Sequence, residues 1–387
     1  MKKRIIAAAV TALCLSPLAR ADVTIYGFMS ATVESVKATG NGSAGNEMAS
    51  RLRVEDQNSR IGFKGSEDLG NGTRAIWQVE SALRNFEQGG TTDTGTTAVF
   101  GTRNTFVGLE NATYGTIQLG NHDSSYRRLT TIAIGQNVMA DTTADISANN
   151  NSTISNRGDT RLANSVHYTT AVWNGLQAGL SWGADETRAD DANNTVTNRA
   201  RYTAAALYTN GGLKVAAGFD RTNDTAAKLS SGSFNTAYAG KNRSFYKLAA
   251  AYRFATDTSL IGDYEYGSYG SATGSADMKQ SDWTVALTQD IGAATLKMAY
   301  HKLGRLSNAT TGSPDDWSAK QWLFGATYNL SKRTQLLGYY TRLQNSTLQN
   351  ANFGVDGLYT SNNGTTSAAL AAGNTLSAIG AGIKVYF

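Results

Sequence analysis

The chain ends in the stretch Ala381-Gly-Ile-Lys-Val-Tyr-Phe387. Side chains alternate between the two faces of a β-strand, so Ile383, Val385 and Phe387 share one apolar face. Lys384 falls on the opposite face. A final strand with an apolar outer face and a terminal aromatic residue is typical of a bacterial outer-membrane barrel.

The opposite end of the chain has the pattern of a secretory signal. Three basic residues at positions 2–4 precede an apolar stretch at 5–15, and Ala19-Arg-Ala21 forms a small-x-small cleavage site. The apolar stretch is too short for a membrane anchor, which takes about 20 residues. We therefore expect a signal peptide over 1–21 and a barrel domain over 22–387.

Loss of the signal changes the charge and the cysteine content. Four basic residues leave with it, so 31 basic side chains remain against 30 acidic ones. This balance gives no indication of a nucleic-acid partner. The only cysteine, Cys14, also leaves, which excludes a disulfide framework.

Turns and loops of two distinct lengths divide the exported chain. Seven short polar turns occur at 66–73, 110–115, 173–175, 209–212, 254–259, 290–293 and 329–334. Eight long segments rich in Gly, Asn, Ser and Thr occur at 34–58, 84–102, 121–160, 184–198, 220–243, 267–281, 302–319 and 342–375. Fifteen connections join sixteen strands, and short turns on one side with long loops on the other are typical of outer-membrane barrels.

Alternation along the strands supports the same fold. Trp77 and Val79 share one face of their strand, whereas Arg74 and Glu80 share the other. A register error of one residue would place both charges in lipid, where a midplane arginine costs about 2–4 kcal/mol. A soluble β-sandwich also alternates, but it does not explain the terminal aromatic residue or the one-sided loops. The sequence thus predicts an all-β, sixteen-stranded antiparallel transmembrane barrel, wide enough for an aqueous channel.

Several stretches resemble one family. They are Asp22-Val-Thr-Ile-Tyr-Gly27, the segment from Ser59 to Glu80 (SRIGFKGSEDLGNGTRAIWQVE), Arg103-Asn-Thr-Phe-Val-Gly-Leu109, the segment 161–168 and Leu330-Ser-Lys-Arg-Thr334. Together they resemble the neisserial-type general porins of beta-proteobacteria. The resemblance implies a homotrimer in outer-membrane lipid that passes small hydrophilic solutes and ions, with its third long loop folded into the barrel. It also implies that Ile383, Val385 and Phe387 signal insertion by the barrel-assembly machinery.

The third long loop, 121–160, contains an apolar patch at 132–140. Folding inward would bury this patch and narrow the pore, whereas the alternative is an external lid packed on its neighbours. Alternation places four arginines on the lumen face, as a basic wall: Arg60, Arg74, Arg103 and Arg161. Asp141 and Asp145 in the loop are the predicted opposing carboxylates. Opposed charges across a narrow gap would favour anions weakly, although the arginines could instead pair with nearby carboxylates and only brace the wall.

Other functions find less support in the sequence. The three histidines lie far apart in sequence, no Gly-x-Ser-x-Gly elbow occurs, and no His/Cys cluster suggests a metal. We therefore expect neither catalysis nor a cofactor. A substrate-specific channel would need a ladder of aromatic or arginine side chains along the lumen, whereas the arginines form a cluster. A receptor or adhesin role for the outer loops stays open beside transport.

Overall fold

The computed structural model describes residues 22–40, 47–83, 100–134, 138–145, 154–186, 188–229, 233–272, 276–355, 357–358 and 370–387. The predicted signal peptide over 1–21 lies outside these ranges and stays a prediction. Within them, no helix has the length and apolarity needed to cross a membrane.

Sixteen antiparallel strands form a closed barrel in the described part of the chain. Their bounds are β1 (Asp22–Thr39), β2a (Met48–Asp56) and β2b (Arg60–Gly70), β3 (Thr73–Ala82), β4 (Thr105–Asn111), β5 (Gly115–Asp123), β6 (Arg161–Thr169), β7 (Leu176–Gly183), β8 (Arg201–Asn210), β9 (Leu213–Thr222), β10 (Arg243–Arg253), β11 (Thr258–Ser271), β12 (Met278–Ile291), β13 (Ala294–Leu303), β14 (Ala319–Asn329), β15 (Thr334–Asn345) and β16 (Thr375–Tyr386). Each strand pairs with the next, and β16 pairs with β1 from Phe28↔Tyr386 to Thr39↔Thr375. The predicted strand number is confirmed.

The second strand is interrupted inside the barrel wall. Both segments pair with β1, β2a with its second half and β2b with its first half. Gln57, Asn58 and Ser59 lie between the segments, and Asn58 has a left-handed backbone with φ of 57°. These three residues are buried, and two of them contact a loop in the lumen, as described below.

The two faces of the wall separate apolar from polar side chains as the alternation predicts. On β14, Trp322 and Phe324 are 41% and 45% exposed, whereas Leu323 between them is fully buried inside. The outward faces of β9, β12 and β13 follow the same pattern, with Leu296 and Met298 exposed on β13. Lipid-facing residues are therefore apolar and lumen-facing residues mixed, as in transmembrane barrels.

The connections are short at one barrel end and long at the other, the extracellular end. Asn71 and Gly72 join β2b to β3 with φ of 51° and 71°, the pair of positive values that a tight type I′ turn needs. Two predicted long loops are wrong in extent. β1 and β2a occupy much of 34–58, and β11 and β12 occupy 267–271 and 278–281 of the loop predicted at 267–281. Gly and Ser residues hid the alternation there, although Tyr269 and Met278 are buried inside.

Several long loops carry secondary structure or a core, among them a 3-10 helix at Pro314–Trp317 before β14. The loop after β9 contains a hairpin of Thr225–Lys228 and Ser233–Ala237, whose first strand also pairs in parallel with the end of β11. Phe353 and Leu358 in the last long loop are buried in the same cluster as Leu343 and Leu376. These two lie on the inner faces of β15 and β16, so the last loop packs inside the extracellular half of the barrel.

Candidate functional site: the loop across the lumen

Helix α1 (Ser125–Ile134) begins the third long loop and lies inside the barrel. The Ser125 N–H donates to Ser181 Oγ on β7 at 2.8 Å, and Tyr126 Oη donates to Glu265 Oε2 on β11 at 2.6 Å. A Cβ at Gly218 on β9 would lie 2.8 Å from the Tyr126 ring. Because Gly218 has no side chain, α1 can pack directly on the inner wall formed by β7–β11.

The next described stretch, 138–145, reaches the other side of the lumen. A Cβ at Gly325 on β14 would lie 2.5 Å from Met139 Sδ, so the methionine fills the space that glycine leaves. The Thr143 N–H donates to Gln57 Oε1, in the interruption of β2, at 2.7 Å. Val138 and Met139 are buried and Ala140 is half-buried, and these three are the part of the predicted apolar patch whose side chains the structure describes. The loop therefore crosses the lumen.

The returning stretch, 154–160, rejoins the wall where α1 started. The N–H groups of Arg157 and Gly158 donate to Glu265 Oε1 at 2.7 and 3.1 Å. Lys247 Nζ on β10 lies 2.7 Å from Asp159 Oδ1 and 3.3 Å from Glu265 Oε2, and all three charged side chains are fully buried. These contacts confirm the predicted inward fold of the third loop.

Asp141 is the residue of the loop that meets the basic wall. Arg60 forms an ion pair with its carboxylate, Lys384 Nζ lies 3.6 Å away, and Asn58 Nδ2 donates to it at 2.6 Å. Burial alone would raise the pKa of Asp141, but the charges of Arg60 and Lys384 outweigh it and lower that pKa below its ordinary value. Phe28 lies beneath both cations, at 4.6 Å and 4.3 Å from its ring centroid.

Arg103, before β4, continues the basic wall from Arg60. Its guanidinium forms an ion pair with Glu80 of β3, and Glu80 also accepts a hydrogen bond from Tyr26 Oη at 2.9 Å. A further 3.5 Å hydrogen bond joins Arg103 to Asn58 Oδ1, beside Asp141. Arg103 is thus held by the wall and reaches the edge of the Asp141 site.

Arg161, at the start of β6, pairs with Asp123 at the end of β5 at 3.0 Å. Arg127 of α1 shares that carboxylate at 3.5 Å. Arg128, one residue further along α1, forms hydrogen bonds with Gln118 and Thr169 and no ion pair with any described residue. The α1 arginines extend the basic wall beyond its predicted members.

These cations follow one another around part of the inner wall. The charge of Arg103 acts on both Arg60 and Arg161, and the charge of Arg127 acts on Arg161. We call the set the basic arc; its members are Lys384, Arg60, Arg103, Arg161, Arg127 and Arg128. Three of the four predicted arginines therefore lie together, at the level where the loop crosses.

The structure does not bring Arg74 to this level. Arg74 pairs with Glu110 near the periplasmic turns, and its side chain is 51% exposed, against 16% for Arg60. Six residues of β3 separate Arg74 from Glu80, which is about 20 Å along a strand. Alternation predicted the correct face of β3, but the height along the pore depends on where the third loop crosses.

Several residues of the site escaped prediction, whereas the predicted Asp145 lies close enough to Lys384 for its charge to act on that side chain. Lys384 fell on the inner face by alternation, but only closure of β16 onto β1 places it beside Arg60. Glu80 and Asp123 are wall residues that neutralise arginines from the neighbouring strands. Asp145 is buried and accepts a hydrogen bond from the Asp141 N–H at 2.7 Å, so it holds the loop tip.

The three residues predicted to signal insertion all face outward at the periplasmic end. Ile383, Val385 and Phe387 are each about two-fifths exposed, on the apolar face of β16. The Phe387 N–H donates to Gly27 O of β1 at 3.2 Å, beyond the last paired residues. Their position on the closing strand is clear, and their role as a signal stays a prediction.

Two histidines that lie far apart in sequence are neighbours in the wall. The rings of His122 on β5 and His167 on β6 lie 5.1 Å apart between centroids. His167 makes hydrogen bonds of 2.7 and 2.8 Å with Ser165 and Ser181. Within the described ranges, no three His, Cys, Asp or Glu side chains converge as a metal site would require. Polar packing of β5 and β6 accounts for this pair.

Comparison with known proteins gives a consistent result at three levels. The family model described as Gram-negative porin matches residues 7–348. The major outer membrane protein P.IB of Neisseria gonorrhoeae is 26% identical over 348 residues, covering 87% of this chain and 92% of that protein. The protein of the same name from Neisseria meningitidis serogroup B is 38% identical over 125 residues, which is 34% of its length.

Solved structures agree on the fold. The anion-selective porin from Comamonas acidovorans has a TM-score of 0.71 at 22% identity and covers 95% of this chain and 100% of its own. The trimer form of OmpT from Vibrio cholerae has a TM-score of 0.63 at 15% identity and covers 95% of this chain and 99% of its own. A family model over most of the chain and a relative matched along most of its length show that the chain belongs to the Gram-negative porin family of outer-membrane channels.

Proposed function

We propose that the protein is a general diffusion pore for small hydrophilic solutes and ions, with a weak preference for anions and no catalytic activity. One observation carries the proposal: the third loop crosses the lumen and places its tip against the basic arc. A solute that passes through the barrel must pass this level. At this level the wall offers a passing solute fixed charges and not a pocket of a particular shape. Such a wall lets many different small solutes pass.

The balance of charge at the crossing supports the preference for anions. Six cations of the basic arc face four carboxylates among the described residues: Asp141, Asp145, Glu80 and Asp123. Asp141 is shared by two cations, and so is Asp123. Pairing therefore neutralises most of the arc but leaves it positive. Because pairs in an aqueous pore are screened, we expect the preference to weaken as salt rises.

Arg60→Gln tests the role of the arc, with Arg74→Gln as a matched control that removes the same charge. A unit charge about 4 Å from an ion in water changes its energy by about 1 kcal/mol, which is roughly fivefold in permeability. We expect Arg60→Gln to lower the anion-to-cation permeability ratio by up to that factor. Arg74 lies about 20 Å away, two Debye lengths at 0.1 M salt, so its variant should match the wild type.

The measurement is the reversal potential in a planar bilayer with a salt gradient. Stepwise ohmic conductance of the wild type is expected first, and a folded protein without such steps would contradict a diffusion pore. Equal reversal potentials for Arg60→Gln and the wild type would remove the arc from selectivity but leave the pore intact. The two parts of the proposal therefore fail separately.

We also propose a homotrimer, which the trimeric form of a fold relative supports. The outward face of β1–β5 is mainly aliphatic, with exposed Val33, Val54, Val107, Leu109 and Leu119. The outward face of β10–β15 is rich in exposed aromatic residues, among them Tyr246, Tyr264, Trp283, Trp322, Phe324 and Tyr340. Aromatic side chains favour the lipid interface, so the aliphatic face is the better candidate for contact between copies.

A pair of leucine substitutions tests the assignment of this face. Leu119→Trp adds bulk on the proposed contact face, and Leu287→Trp adds the same bulk on the aromatic side. Both leucines are exposed, at 50% and 40%. We expect the first variant to dissociate at higher protein concentration than the wild type in analytical ultracentrifugation in detergent, and the second to behave as wild type. The reverse order, or a monomeric wild type, would overturn the proposal.

A further inference from the structure

The inner face of the barrel differs below and above the level at which the third loop crosses. Below that level, on the periplasmic side, polar and charged side chains of the inner face are partly or fully exposed to the lumen. They include Lys64 on β2b, Gln177 on β7, Lys214 on β9, Arg253 on β10 and Gln335 on β15. The periplasmic half of the lumen is therefore open to water on several sides of the barrel.

Above that level, loop segments cover the inner face of β8–β12. These strands carry five inner-face residues that are at most 4% exposed: Thr203, Asp220, Phe245, Tyr269 and Gln280. The Tyr126 N–H of α1 donates to Thr203 Oγ1 at 3.4 Å. Phe234 of the loop hairpin packs on Tyr269, with 5.3 Å between the ring centroids. This part of the wall therefore has almost no contact with water in the lumen.

The last long loop covers the inner face of β13–β16 and β1. Here the wall carries large aliphatic side chains that are at most 1% exposed: Leu303, Leu323, Leu343, Leu376 and Val36. Phe353 and Leu358 of the loop belong to the same buried cluster. Aliphatic side chains on the inner wall would meet water in an open lumen, so their burial stabilises the loop in its inward position.

Polar contacts hold the last loop to strands on both sides of the β16–β1 closure. Asn345, at the end of β15, donates from Nδ2 to Ala351 O and accepts from the Ala351 N–H, both at 2.9 Å. Arg53 on β2a donates from Nη1 to Gly357 O at 3.5 Å. The loop therefore reaches from β15 to β2a and closes this side of the extracellular half.

One strip of the inner face stays in contact with the lumen above the crossing. It runs over β2a–β6, and we call it the open strip; its members are Glu55, Ala82, Asn104, Asp123 and Arg161, which are all half-buried. By contrast, Thr32 on β1, directly opposite Glu55, is buried. Arg161 belongs to the basic arc and Asp123 is its partner. The open strip therefore leads directly to the arc.

We propose that the aqueous path above the third loop is confined to the open strip, and that the last loop is the wall that confines it. This inference rests on the proposed pore function and adds a second loop that determines selectivity. Ions that enter from outside stay on the side of the basic arc, within a Debye length of its charges, which is about 10 Å at 0.1 M salt. In a lumen without this wall, ions could pass farther from the arc and would respond to it less.

Single cysteines test which parts of the wall water reaches. The only cysteine, Cys14, lies in the predicted signal peptide, so each variant of the exported chain has one thiol. Ala82→Cys lies in the open strip, whereas Ala378→Cys lies in the apolar cluster that the last loop covers. The probe is 2-sulfonatoethyl methanethiosulfonate, a small anionic thiol reagent, added to the extracellular side of a single channel in a planar bilayer. We expect a stepwise loss of current for Ala82→Cys and no change for Ala378→Cys or the wild type.

Substitutions in the last loop test whether it is the cover. Phe353→Ser combined with Leu358→Ser removes two of its buried apolar side chains. Added to Ala378→Cys, this pair should make the thiol reactive, raise the single-channel conductance and lower the anion-to-cation permeability ratio. Phe254→Ser combined with Leu330→Ser is the matched control, because both residues are exposed in periplasmic turns. It should leave all three quantities unchanged.

Reaction of Ala378→Cys as fast as that of Ala82→Cys would overturn the one-sided path, and so would an unreactive Ala82→Cys. An Ala378→Cys thiol that stays unreactive after the loop substitutions would overturn the role of the last loop as the wall. Mass spectrometry of the labelled protein in detergent gives the same comparison without a conducting channel, and labelling of denatured protein checks that both thiols can react. The path and the proposed pore function therefore fail separately.

Discussion

Lys247→Met is expected to destabilise the protein by about 3–5 kcal/mol, the cost of breaking a buried ion pair from one side. Lys247, Asp159 and Glu265 are fully buried, and the lysine is the cation that both carboxylates contact. Methionine of similar length fills the space but leaves two buried carboxylates uncompensated. The free energy of unfolding, from urea titration in detergent micelles, measures this loss.

The same variant should release the returning part of the third loop. Asp159 and Asn156, both in 154–160, each lie 2.7 Å from Lys247 Nζ. Loss of these contacts should make the single-channel current noisier, because the stretch that holds the loop against the wall becomes mobile. Lys214→Met on β9 is the matched control, since Lys214 forms no ion pair with a described residue, and it should stay within about 0.5 kcal/mol of the wild type.

Adding Asp159→Asn and Glu265→Gln to Lys247→Met removes the uncompensated charges. This triple variant should recover most of the lost stability, because neutral side chains of similar shape avoid the penalty of burying a lone charge. Stability of Lys247→Met close to that of the wild type would contradict the central role of this lysine. Failure of the triple variant to recover would instead indicate that packing, not charge, holds the loop.

Asp141→Asn is expected to raise the anion-to-cation permeability ratio up to roughly fivefold at neutral pH. It removes the carboxylate that Arg60 and Lys384 share, and leaves both cations in the pore wall. Asp257→Asn in a periplasmic turn removes the same charge from a side chain that is 63% exposed, and it should have no effect. An unchanged reversal potential in Asp141→Asn would exclude its carboxylate from the ion path.

Protonation of the Asp141 carboxylate should also make ion selectivity depend on pH. The cations hold the pKa of Asp141 below its ordinary value, which is about 3.9 in an unfolded chain. A lowered pKa stabilises the folded state fully above that unfolded value, and this contribution is lost as pH falls through the folded value. We therefore expect Asp141 to contribute no change in selectivity from pH 8 to about pH 4, and a rise in anion preference only in stronger acid. Asp141→Asn should remove that acid rise.

The sequence predicted the barrel because alternation constrains each strand separately. A register error on β3 would place Arg74 and Glu80 in lipid, so the face of each residue follows from local sequence. The apolar patch of the third loop and the family resemblance together predicted that this loop folds inward. Asp141 was predicted to face the arginines of the wall, but the sequence did not tell which of them it pairs with, because Arg60 lies 81 residues away and Lys384 reaches it only through closure of the barrel.

Charge pairs were the least predictable part of the site. Arg103 and Arg161 find their carboxylates on neighbouring strands, at Glu80 and Asp123, and only the paired register shows which acid lies within reach. Alternation also does not predict how far along the pore axis a residue lies. Arg74 has the correct face and the wrong level, since a strand repeats its pattern every two residues along its whole length.

Closure of β16 onto β1 has a consequence for how the protein is made. The twelve paired positions from Phe28↔Tyr386 to Thr39↔Thr375 join the first strand of the barrel to its last. Until the last strand arrives, every smaller assembly has two open edges, which cannot be accommodated in hydrocarbon. We therefore expect the barrel to complete its ring late in folding, a slow step for contacts so distant in sequence. Its apolar strands need protection from aggregation during that delay.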